Sequence, residues 1–153
     1  TAMFPTIAGK KAAVIPILRA GLGMVDGIHK VIPTAKIGHV GLYRDEETLE
    51  PKRYYAKFPK TIKDAVVFVV DPMLATGCSM ELGLEAFCIT GQPAVIHLCS
   101  VIASQKGVDY LRTVYGNWSN VTLWCGAIDA ELNDHAYIVP GLGDAGDRIF
   151  GTK

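Results

Sequence analysis

No apolar run in this sequence approaches the ~20 residues that a membrane-spanning helix needs. The longest, Ala65 to Val70, is strand-sized. No charged start followed by an apolar stretch opens the chain between Thr1 and Lys11, so a signal peptide is not expected. The first residue is Thr rather than Met, as in a processed or partly represented polypeptide. Excess charge is also missing: fifteen basic residues face fifteen acidic ones. That balance argues against a broad nucleic-acid surface or a polybasic membrane patch, whereas a small anion site needs only local charge and backbone N–H groups. Cysteine is sparse, at Cys78, Cys88, Cys99 and Cys125, with no CxxC pair. Disulfides and zinc are therefore not expected, and free thiols in apolar surroundings are. The Gly-Lys-Ser/Thr ending of a P-loop and the GxGxxG dinucleotide fingerprint are both absent.

What is present suits a single globular domain with a real core: 153 residues, half of them hydrophobic and a fifth charged. Ala12 to Leu18, Lys36 to Tyr43, Ala65 to Val70, Ala94 to Ala103 and Val121 to Ile128 are strand candidates. Between them, Gly21 to Val31, Ser79 to Ile89 and Lys106 to Tyr115 carry helical spacing, with Ser79 a candidate N-cap. Arg44 to Pro59 is charged, holds two prolines and the pair Tyr54-Tyr55, and reads as a protruding hairpin arm. Tyr137 to Lys153 is Gly-rich with little periodicity. Strands alternating with helices predict α/β architecture with a mostly parallel sheet flanked by helices. Ligands in such sheets sit beyond the carboxyl ends of the strands, which singles out the loops after Leu18, Val70 and Ile128.

The loop after Val70 carries the strongest motif, Asp-Pro-Met-Leu-Ala-Thr-Gly-Cys-Ser from Asp71 to Ser79. A buried strand delivers an acid into small residues that open a helix. Backbone N–H groups there can surround an anion, Thr76 and Ser79 add hydroxyls, and the helix dipole favours negative charge. Asp71 itself would be repelled by a phosphate and is better placed for ribose hydroxyls or Mg²⁺. Taken alone, the segment also fits an ordinary strand–helix connection with an incidental acid. Arg19, at a strand end, also fits a surface ion pair.

These residues nevertheless resemble a known family. Asp71 to Ser79 is similar to the 5-phosphoribosyl 1-diphosphate loop of type I phosphoribosyltransferases, in the single-acid form of the uracil phosphoribosyltransferases. Pro16 to Met24 resembles that family's pyrophosphate-gripping loop, Gly41 to Pro51 its second arginine segment, and Tyr137 to Asp147 with Phe150 to Lys153 its uracil-binding tail. The match departs at Cys78, where the family pattern has Gly, and at Ala103 to Gly107, where it has Ala-Pro-Glu-Gly. A Cβ at Cys78 is expected to strain the loop if that position needs positive φ. Family members also carry a further N-terminal portion.

The resemblance implies transfer of a phosphoribosyl group to uracil by one domain spanning residues 1 to 153. It casts Asp71, Arg19 and Arg44 as catalytic. Donor binding falls to Arg19, Arg44, Asp71, Pro72, Met73, Leu74, Ala75, Thr76, Gly77, Cys78, Ser79 and Asp144. Uracil falls to Ile138, Gly143, Asp144 and Ala145, mostly through backbone groups. Mg²⁺ would arrive with the donor, with no firm protein ligand. The resemblance further implies a cytoplasmic homodimer or homotetramer with a GTP effector, and no nucleic-acid or membrane partner. A nucleotide-sensing regulator without turnover is the rival reading.

Overall fold

The computed structural model describes residue 3, residues 11–45 and residues 51–152, and of Arg44 only the backbone. The chain opens with β1 (Ala12–Leu18), then α1 (Leu22–Val31), β2 (Lys36–Ile37) and β3 (His39–Arg44). β4 (Pro51–Lys57), β5 (Val66–Val70), β6 (Met73–Leu74) and α2 (Cys78–Cys88) follow. β7 (Val95–Ser104), α3 (Gln105–Tyr115), β8 (Val121–Asp129), β9 (Glu131–Leu132), β10 (Ile138–Val139) and α4 (Ala145–Phe150) complete it. Eight strands form one sheet whose spine runs β4-β3-β1-β5-β7-β6, with β2 on β1 and β8 on β7. Within it only β3 and β4 pair antiparallel. The expected α/β sheet is therefore observed.

The two-residue repeat of a strand divides the core. Along β1, Ala12 and Val14 face one side with Val25 of α1 and Val70 of β5. Ala13, Ile15 and Ile17 face the other with Val67, Val69, Met80, Leu84 and Phe87. A strand buried on both faces needs an unbroken apolar run, which is why β1 and β5 stand out in the sequence. Burying a side chain such as Phe87 or Leu84 contributes about 1.5–3 kcal/mol each. That core fixes the carboxyl ends of β1 and β5 side by side, since Pro16 is in register with Val70.

Several boundaries differ from expectation, each for a local reason. The run Lys36 to Tyr43 breaks at Gly38, where a Cβ would lie 2.7 Å from the Ile15 side chain, so β2 and β3 meet β1 separately. The arm is a hairpin, but it starts at His39, because β3 forms its first limb and β4 its second. Ser79 does not cap α2. The cap is Gly77, at φ 91°, and no side chain bonds there. Ser104 caps α3 instead, accepting from the Gly107 N–H. The tail is ordered rather than featureless: β9 and β10 pair antiparallel, and Asp144 caps α4 by accepting from the Asp147 N–H at 2.8 Å.

Candidate active site

Asp71 follows β5 directly and is half-buried at the sheet's carboxyl edge. Burial pushes its carboxyl up from the usual 3.8 to about 7. The Met73 N–H, 3.5 Å from its Oδ1, opposes that rise, and the nearby Asp144 carboxylate adds to it. Beyond Asp71 the loop turns into α2. Among the described residues, no backbone acceptor takes the N–H groups of Ala75, Thr76 or Gly77. Gly77 needs its left-handed backbone, and a Cβ there would also come within 2.7 Å of the Tyr110 ring. Because Gly77 makes the turn, Ser79 enters the helix with its side chain on the cleft.

Two adjoining depressions share Ala20, Asp71, Ser79, Asp144 and Gly146 and form one cleft over the strand ends. The first, about 190 Å³, is lined also by Arg19, Leu42, Tyr43 and Pro51. The second, about 350 Å³, is lined also by Met73, Ala75, Ala136, Tyr137, Ile138, Gly143 and Ala145. Asp71 and Asp144 thus stand between a lobe walled by Arg19 and the arm and a lobe walled by the loop and the tail. The tail is held in place from several sides. Asp129 Oδ2 accepts from the Gly141 N–H at 3.1 Å, and Asn133 Oδ1 accepts from the N–H groups of His135 and Tyr137. Arg19 donates to Asp147 Oδ1 at 3.0 Å and to Thr152 Oγ1 at 3.1 Å, with half its side chain exposed.

A family model described as uracil phosphoribosyltransferase matches residues 3–152. The chain belongs to the uracil phosphoribosyltransferase family. A protein of that name from Geobacillus kaustophilus is 53% identical over 147 residues, which cover 96% of this chain and 68% of that protein. One from Clostridium perfringens is 52% identical over the same shares. The solved structure of the AQ2163 protein from Aquifex aeolicus superposes with a TM-score of 0.87 at 37% identity, over 98% of this chain and 70% of that one. A purine phosphoribosyltransferase from Pyrococcus horikoshii, at 14% identity and TM-score 0.56, shares the fold; it covers 79% of this chain and 70% of its own.

The cleft gathers most of the residues the family resemblance singles out: Arg19, Asp71, Met73, Ala75, Ser79, Ile138, Gly143, Asp144 and Ala145. Two of the residues expected to bind the donor are buried. Leu74 is 2% exposed and belongs to the core, and Pro72 is buried with its carbonyl accepting from Val101 and Ile102. Neither lines the cleft. Thr76, Gly77 and Cys78 do not line it with side chains; the first two offer backbone N–H groups. The expected strain at Cys78 is not found. Cys78 is the first helical residue and is not among the positive-φ positions. The Arg44 side chain lies outside the described residues. Sequence reasoning missed Ala136 as a lining residue and Asp129 as the acceptor that holds the tail, whereas Ala20, Tyr137 and Gly146 lie within the segments the resemblance singles out. Asp129 ends the apolar run Val121 to Ile128 as Asp71 ends Ala65 to Val70, and that parallel was the available signal.

Proposed function

We propose that the cleft transfers a 5-phosphoribosyl group from 5-phosphoribosyl 1-diphosphate to uracil, giving UMP and diphosphate. The observation that carries this reading is the run of unpaired N–H groups opening α2 beside Asp71, where two lobes of one cleft meet. Ala75 to Ser79 would hold the 5′-phosphate on backbone N–H groups, two hydroxyls and the helix N-terminus. Asp71 would bond the ribose hydroxyls. Arg19, and Arg44 from the arm, would meet the diphosphate as it gains charge on leaving C1′. The tail from Ile138 to Ala145 would pair with the uracil edge. Rate then comes from positioning and leaving-group stabilisation, with no covalent nucleophile.

Asp71 and Asp144 also fit Mg²⁺ brought by the donor. That ion is commonly held by one or two carboxylates plus substrate phosphates, and it would neutralise the diphosphate. Asp144 lies close enough to raise the Asp71 carboxyl, while no cage of three or more ligating side chains occurs among the described residues. The same reading takes the protein as a cytoplasmic homodimer or homotetramer with a GTP effector. No helix among the described residues is long and apolar enough to cross a membrane. The rival regulator would be favoured by a strained Cys78, and that support is gone, because the positive φ belongs to Gly77. Diphosphate release measured with uracil and donor separates the two. Turnover that needs both substrates is expected; tight donor binding without release would overturn transfer.

A further inference from the structure

We infer that Ser104, which lies outside the cleft, is a positioning residue for the donor's phosphate. The inference rests on the proposed reading that the loop after β5 seats that phosphate. Ser104 is fully buried where β7 passes into α3. Its hydroxyl accepts from the Gly107 N–H at 2.9 Å, which caps α3. It also donates to the Ala75 carbonyl at 2.5 Å, a bond the helix does not need. The loop lies close against α3 here: a Cβ on Gly107 would fall 2.4 Å from the Ala75 oxygen. One helical turn further, the Tyr110 ring packs against Gly77 and its hydroxyl donates to Glu81 of α2. That bond pushes the Tyr110 hydroxyl up to about 12. The first turns of α3 therefore hold both the loop and the helix it opens.

The consequence for the ligand follows from the peptide plane. In a trans peptide the carbonyl and the following N–H point in opposite directions. The Ala75–Thr76 peptide is trans. Fixing the Ala75 oxygen to Ser104 turns the Thr76 N–H away from α3; Ala75 before it and Ser79 after it line the cleft, and no residue of α3 does. No protein acceptor among the described residues takes that N–H. An N–H so aimed suits an anion, whereas a rotated peptide would present its carbonyl and repel one. The stretch Ala103 to Gly107 departs from the family pattern without explanation from sequence, and it is the stretch that supplies this hydroxyl.

The experiment is steady-state kinetics on the full-length protein, varying 5-phosphoribosyl 1-diphosphate and uracil separately. Ser104→Ala should raise KM for the donor about tenfold, the worth of one buried hydrogen bond, with kcat and KM for uracil within about twofold. Ser104→Cys keeps the volume and a weak donor, and should raise it about threefold. Gly77→Val, which disrupts the loop itself, should lose donor binding. Unchanged donor KM in the Ser104 variants beside a defective Gly77→Val overturns the role of Ser104. Equal losses in kcat and in both KM values would mark a general structural role and also overturn it. Unchanged donor KM in Gly77→Val removes the loop from the donor's site, and the underlying reading falls with it.

Discussion

Replacing Asp71 by Asn should stabilise the ligand-free protein while disabling it. Asn keeps the shape and an acceptor for the Met73 N–H, and removes only the charge. In the folded protein the carboxyl is held at about 7 instead of 3.8. Its native pKa is raised, so folding favours the protonated form. The stabilisation is complete below pH 3.8 and is lost as pH rises through 7. Above that, the charge must be kept in a desolvated place. The gap sets a ceiling of about 4 kcal/mol, and relaxation around a carboxyl still partly open to water leaves roughly 1–2 kcal/mol. The Asn variant should therefore melt ~2–8 °C higher than the native protein at pH 8. Near pH 4 the two should melt together. Turnover should fall, because losing a charge-assisted bond costs about 1.5–3 kcal/mol, or roughly 10- to 150-fold. Thermal unfolding without ligands at both pH values, beside steady-state kinetics, tests both halves. An equal or lower melting temperature at pH 8 would refute the desolvation argument. Turnover within about twofold would remove Asp71 from the chemistry.

Base choice should rest on the tail's backbone. Uracil should be preferred to cytosine by on the order of a hundredfold in kcat/KM, since two polar mismatches cost about 1–3 kcal/mol each. Gly143 has φ 74°, so Gly143→Val should abolish uracil use while Val139→Ala changes little; an active Gly143→Val enzyme would place the uracil pocket elsewhere. Cys78→Gly should not tighten donor binding, because the positive φ belongs to Gly77; a lower donor Kd by titration would return the strain to Cys78. Tyr54 and Tyr55, 58% and 44% exposed on β4, should contribute to subunit contact. Converting both to Ser should weaken association in sedimentation at micromolar concentration, and an unaltered oligomer would move the interface off the arm.

The sheet was legible because β1 and β5 are buried on both faces, which forces long apolar runs that end at Arg19 and Asp71. The tail was not. β9 and β10 are two residues each, too short to show a period, and α4 is only six residues long. Their order comes from Asp129, Asn133 and Asp144, polar side chains that bond backbone N–H groups and leave no hydrophobic pattern. The placement of Gly77 and Ser79 failed for a related reason. A serine before an apolar helix reads as a cap, but the glycine two residues earlier makes the turn and takes that place. Ser104 shows the opposite error: it ends a strand and caps a helix, and its bond to Ala75 spans 29 residues that only the fold brings together.

The guanidinium of Arg19 is shared property. Asp147 and Thr152 hold it from the tail, and an anion arriving in the lobe it lines competes for the same N–H groups. On the proposed reading, drawing Arg19 toward the diphosphate would loosen one fastening of the tail that pairs with uracil. Once the diphosphate left, Asp147 would be alongside to take the arginine back, so the emptied lobe would not be left with a bare cation. The pair would then serve as a latch between one lobe of the cleft and the tail. Because such a partly exposed pair is worth about 0–1 kcal/mol, its opening would cost little in each cycle.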